Sequence, residues 1–234
     1  MSSLPEIILI MFLLSSIVLV SSSRLVHCIQ LVALQGVLLG IMPLIFWDWQ
    51  SSAPHGELVF LAIVNIAVKG VALPMLLILA MRRAQVRREL EPLVGYALSQ
   101  LIAMLIIAGC FAGYRHLIGA AATNSALLAI PVAAATMLIG LFVIIARRKA
   151  ITQVIGFLVF ENGIAVFASG QMVHHGAIVE LGILLDVFAL VFIMGIAVFK
   201  ISQEFQHIDA DRLNTLRDRR DPESPATPAG YTGE

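Results

Sequence analysis

The sequence predicts an all-α, polytopic integral membrane protein with seven transmembrane helices. Three observations carry that prediction. Of 234 residues, 59% are hydrophobic and 13% charged, with a mean hydropathy of +0.95; a soluble domain carries about a quarter charged residues. The apolar residues come in runs of about 20, the length of helix that crosses a bilayer. Basic residues gather in alternate connections, the asymmetry that sets membrane topology. The formal net charge is zero, and no basic patch with interleaved aromatics points to nucleic acid.

The first span, 4–22, is apolar from Leu4 onward and has neither a basic leader nor a small-residue cleavage site, so a retained helix is expected rather than a signal peptide. Span 26–47 follows Arg24, carries Cys28, Gln35–Gly36 and Pro43, and ends at Trp47 and Trp49, aromatics suited to an interface. Span 58–81 contains Lys69, Gly70 and Pro74 and runs into "RRAQVRRE". Span 93–113 holds Cys110; span 122–146 holds Pro131 and meets "RRK". Span 151–170 contains Glu161–Asn162, and span 178–200 contains Glu180 and Asp186. The end, "DPESPATPAGYTGE", is too polar and Pro-rich to build a core. The two cysteines sit in apolar segments at no metal-ligand spacing and read as small buried residues, with no metal or disulfide expected.

Thirteen basic residues fall after odd-numbered spans or in the tail: Arg24, Arg82, Arg83, Arg87, Arg88, Arg147, Arg148, Lys149, Lys200, Arg212, Arg217, Arg219 and Arg220. The opposite connections hold Arg115 alone. The positive-inside rule then puts the C-terminus in the cytoplasm and the N-terminus outside. The fifteenth basic residue, Lys69, lies inside the third span.

At 1.5 Å per residue, Lys69, Glu161 and Asp186 fall within a few ångströms of the bilayer middle, with Glu180 near the outer boundary. A charge at that depth costs about 2.5–3.5 kcal/mol on insertion scales. One reading is a structural ion pair, Lys69 against Glu161 or Asp186; such pairs contribute little net stability. The other is proton handling. Desolvation and mutual attraction act on such groups in opposite senses, which lets them titrate near neutral pH. A row at one depth moves protons sideways rather than straight across. A lipid- or quinone-facing role is a third reading. Pro74 removes the helical donor of the Gly70 carbonyl, leaving an acceptor beside Lys69 for water, or simply a packing kink. Asn162 and Gly163 allow a polar contact and close helix approach. His174 and His175 read as solvated loop residues, with proton entry as the alternative.

Residues 23–83 and 146–204 share a plan: a basic start, an outward helix, a short loop, a Glu opening the returning helix (Glu57, Glu180) and a polar end. Gln35–Gly36 takes the place of Glu161–Asn162, and Lys69 loosely that of Asp186. This suggests a parallel duplication, unlike the inverted repeats of many transporters. The resulting units are 1–92 with three spans, 93–121 as a linking span, 122–204 with three spans, and a polar tail over 205–234.

The segments "RKAITQVIGFLVFENGIAVFA" and "VELGILLDVFALVFIMGIAVFKI" resemble the E component of hydrogenase-4, a membrane subunit of group 4 [NiFe] hydrogenase and formate hydrogenlyase complexes. They are also similar to the K-type subunit of respiratory complex I and the C-type subunit of multi-subunit cation/proton antiporters. "VKGVALP" and "HIDADRLNTLRD" extend the likeness to the E family, and the three-span unit at 122–204 is the part that looks K-type. The resemblance implies a non-catalytic membrane-arm subunit in the inner membrane of a prokaryote. Its implied partners are antiporter-like proton-pumping subunits and a membrane-anchored redox module. By position Glu161 matches the second-helix acid, and Asp186 the third-helix acid, where the K-type subunit has Glu. No Ser–His–Asp-like constellation, Gly-rich phosphate loop, thiolate cluster or haem-attachment motif occurs. The chain is therefore not expected to be an enzyme by itself or to hold a cofactor. A scaffold without ion chemistry and a stand-alone transporter remain alternatives, although matched broken helices are absent.

Overall fold

The computed structural model describes residues 3–46, 56–83, 95–118, 125–147 and 149–170. All seven named α-helices follow from the apolar runs: α1 (Ser3–Ser21), α2 (Leu25–Phe46), α3 (Gly56–Asn65), α4 (Leu73–Arg83), α5 (Tyr96–Ile118), α6 (Ser125–Ala146) and α7 (Ala150–Gly170). A π-helical segment, Ile66–Ala72, joins α3 to α4 in one continuous span. Among the described residues, six helices are long and apolar enough to cross a membrane. The expected span 178–200, with Glu180 and Asp186, lies outside the described residues, as do Trp47, Trp49, His174, His175 and the tail. The duplication therefore has only part of its second copy here.

Three sequence expectations shift. The fourth span starts and ends later than 93–113, because Leu117 and Ile118 continue the helix beyond Arg115 and His116. Those two residues thus occupy the last turn of α5, where cations suit the exposed carbonyls. Arg82 and Arg83 likewise close α4 rather than open a loop. Arg147, counted from sequence among the basic residues of a connection, is buried: it is only 4% exposed. Its Nη2 donates to the Val20 carbonyl at the C-terminus of α1 (2.9 Å), and its guanidinium lies 5.3 Å from the centroid of Tyr96 at the start of α5. One side chain thereby satisfies a helix-end acceptor and stacks on a ring. Arg147→Met keeps an apolar stem and removes both contacts. It should cost about 1.5–3 kcal/mol, the worth of a charged hydrogen bond, seen as a lower unfolding temperature in lipid nanodiscs.

Helices α6 and α7 pack tightly against each other. Gly140 makes the approach possible: a Cβ there would stand 2.7 Å from the Cα of Phe160 and 2.8 Å from the carbonyl oxygen of Gly156. Both are backbone atoms, which no rotamer change can move. Small residues at such crossings let membrane helices gain packing energy where the hydrophobic effect gives none. Gly140→Leu should force the pair apart and cost about 1–3 kcal/mol or more, by overpacking, measurable by denaturant unfolding in mixed micelles.

The interior is stratified. One apolar cluster, near the end that carries Arg147, contains Leu19, Val20, Ile29, Val32, Leu77, Ile139 and Val159 among others. A second, toward the other end, contains Ile8, Phe12, Leu39, Met42, Val132 and Val166 among others. Both clusters draw on the first and last described helices, so 1–92 and 122–170 share their core. Between the clusters, every helix that builds both buries at least one polar residue. These residues are Ser15 and Ser16 on α1, Gln35 on α2, Thr136 on α6, and Glu161 and Asn162 on α7. Lys69 joins them from the π segment.

Candidate functional site in the polar layer

The layer is one helical turn thick because each contributing helix is in phase. On α2 the inward positions Ile29, Val32, Gln35, Leu39 and Met42 step by three or four residues, the spacing of a single helical face. Gln35 is where that face turns polar.

Lys69 and Glu161 meet as an ion pair, Nζ to Oε1 at 2.9 Å, with their side chains 6% and 1% exposed. The π segment presents the lysine. Its hydrogen bonds reach back five residues, as in Leu73 N–H to the Val68 carbonyl, so each ring encloses one residue more than in an α-helix. The return to α geometry coincides with Pro74, which has no N–H to offer. The sequence reading of a simple α-helical break is thereby refined: the irregularity begins upstream of the proline and includes Lys69 itself. π segments are rare and concentrate at functional sites.

Gly36 fixes the depth of that segment. A Cβ on Gly36 would stand 2.5 Å from both the carbonyl carbon and oxygen of Lys69 and 2.8 Å from the Gly70 nitrogen. The backbone carrying the lysine is thus laid directly on α2, and Gly70 supplies the reciprocal small face against Val37.

Asn162, the neighbour of Glu161, points elsewhere. Its Nδ2 donates to Gln35 Oε1 (3.2 Å), and Gln35 Nε2 donates to Ser15 Oγ (2.9 Å) and Ser16 Oγ (3.0 Å). Both serine hydroxyls donate onward to the Phe12 carbonyl, at 2.7 and 3.0 Å. Thr136 donates to the Val132 carbonyl of its own helix at 2.8 Å.

The site residues expected from sequence divide cleanly. Lys69, Glu161, Gln35 and Asn162 come together with Gly70 beside them, and Pro74 sits one turn along. Glu180 and Asp186 lie outside the described residues. Ser15, Ser16 and Thr136 were not foreseen. Their signal was a polar pair and a lone threonine midway through otherwise apolar runs, in phase with Gln35 and Glu161. Cys28 is buried with its thiol toward the Leu19 carbonyl (3.8 Å), and Cys110 is half-buried in α5; both are free thiols. Among the described residues no cluster of three His, Cys, Asp or Glu is placed to hold a metal.

Over 206 residues the chain is 33% identical to the uncharacterized protein Rv0085 of Mycobacterium tuberculosis, a match covering 88% of this chain and 92% of that one. It belongs to the Rv0085 family. No family model matches the chain, and no solved structure matches it significantly. Because the match to Rv0085 runs over nearly the full length of both chains, it concerns the whole helical protein rather than a shared fragment.

Proposed function

We propose that this protein is a non-catalytic membrane-arm subunit of a hydrogenase-4-like or complex I-like redox-driven assembly. In it, mid-membrane ionisable residues form part of a lateral path for protons or another cation. The observation that carries the proposal is the buried Lys69–Glu161 pair, 2.9 Å apart in a polar layer between two apolar clusters. Each charge costs about 2.5–3.5 kcal/mol at the bilayer centre, and the pair brings little net stability in return. Groups retained at that cost mark ion and proton pathways in membrane proteins.

The resemblance of "GFLVFENG" and "VKGVALP" to the hydrogenase-4 E family supports the same reading, because those two segments supply Glu161 and Lys69. In this proposal Asp186 and Glu180 continue the row beyond the described helices, and Gln35 and Asn162 line it. In this proposal the protein sits in the inner membrane of a prokaryote with its C-terminus in the cytoplasm and its N-terminus outside, an orientation that the distribution of basic residues supports. The partners are antiporter-like pumping subunits and a membrane-anchored redox module.

A scaffold without ion chemistry is favoured by one observation: the bonds from Asn162 through Gln35 to the serines form a closed structural clamp. The readings separate in two steps. Tagged protein extracted from native membranes in mild detergent should migrate within a large assembly containing antiporter-like polypeptides and a [NiFe] hydrogenase-like module. Recovery only as a 25.3 kDa chain would overturn the subunit assignment. Proton uptake by the assembly's vesicles, compared between wild type and Glu161→Gln, then distinguishes a path from a scaffold.

A further inference from the structure

We infer that Ser15 and Ser16 of α1, acting through Gln35, are positioning residues. They set the rotation of α7 that aims Glu161 at Lys69, and they close the α1 side of the polar layer to proton passage. This rests on the proposed reading that Glu161 exchanges protons, and it assigns a task to two residues that reading does not use.

The first argument is the hydrogen-bond inventory. The Gln35 carboxamide offers two N–H donors and one carbonyl acceptor. The serine oxygens receive from its nitrogen, and Asn162 donates to its oxygen. Each serine proton is committed to the Phe12 carbonyl. Every bond therefore points one way, from α7 through α2 to the α1 backbone. A relay needs links that take up a proton on one side and release it on the other. A carboxamide does neither at accessible pH, and a backbone carbonyl ends the chain. Beyond it lie Phe12, Leu9 and Ile8, and Ser16 and Phe12 are 0% exposed. The α1 side is polar but terminated.

The second argument is geometric. Adjacent residues on an α-helix point about 100° apart, so Glu161 and Asn162 address different neighbours. Glu161 reaches the third span and Asn162 reaches α2. Two polar contacts in different directions fix the roll of α7 as one could not. Gln35 is in turn adjacent to Gly36, which holds the Lys69 backbone. The same dipeptide thus holds both partners of the ion pair. Gln35 can serve this way only with its amide plane fixed, and the paired serine acceptors fix it. Among the described residues, the ionisable members of the layer are Lys69 and Glu161.

The test uses the full chain in lipid nanodiscs and pH-dependent infrared difference spectra. The Glu161 carboxyl band is identified by its loss in Glu161→Gln. Its titration midpoint should move by about one pH unit, tenfold in proton affinity, in the double variant Ser15→Ala/Ser16→Ala. It should stay at the wild-type position in Ser15→Thr/Ser16→Thr, which keeps both hydroxyls. Should the double alanine variant fail to fold, each single alanine variant should move the midpoint part of the way. Gln35→Glu should add a second carboxyl band whose titration is coupled to that of Glu161. A wild-type band that titrates, with a midpoint indifferent to the alanine variants, would overturn this inference alone and leave the serines as a helix clamp. A wild-type Glu161 that never titrates would overturn the proton-path reading beneath it.

Discussion

Glu161→Gln should bring redox-driven proton movement by the assembly down to the background of uncoupled membranes, while the assembly still forms. The amide has nearly the shape of the carboxyl and keeps an oxygen that can accept from Lys69 Nζ, now 2.9 Å from Oε1. What it loses is the ability to bind and release a proton. Dye-quenching in inverted vesicles, with native electrophoresis of the same membranes, measures both quantities. Glu161→Asp, shorter by one methylene but titratable, should retain partial movement. Full proton movement in the glutamine variant would remove Glu161 from the path.

The second large effect is on stability, and it takes the form of a cycle. Lys69→Met alone should destabilise the protein by about 3–5 kcal/mol, because it strands a buried carboxylate. Glu161→Leu alone should do the same by stranding an ammonium. The double variant should return close to wild-type stability, since a buried pair replaced by apolar groups of similar volume is often neutral or better. Equilibrium unfolding in lipid, with the four proteins compared under one condition, gives the coupling directly. All three variants should be inactive in proton movement. A double variant that is stable and inactive would show that the pair is kept for its chemistry rather than for the fold.

Much of this was legible in the residues. Charges within apolar runs announced Lys69 and Glu161, because hydrocarbon leaves so few reasons for an ionised group. Depth counting placed them at one level, and the two meet as an ion pair. The serines were not legible. A serine inside a membrane helix can satisfy itself on its own backbone, so its presence signals little until the facing helix is known. The burial of Arg147 was not legible for a related reason: a basic residue at a helix end gives no sign of its partner until the neighbouring helix terminus is in view. The π segment was hidden because its wider rings depend on what packs beside them, and Gly36 gives no hint of that from its own position.

The wide turns at 66–72 have one more consequence. They carry a surplus residue that a regular winding would not hold, so the stretches before and after are out of step with each other. Ala62 before the wide turns and Leu73 after them are both nearly inaccessible. Winding the same residues as regular helix would swing one half about 100° against the other, whereas deleting one of them would let the rod wind regularly with both halves held in place. The wide turns thus lodge one extra amino acid while each flank keeps its own inward face.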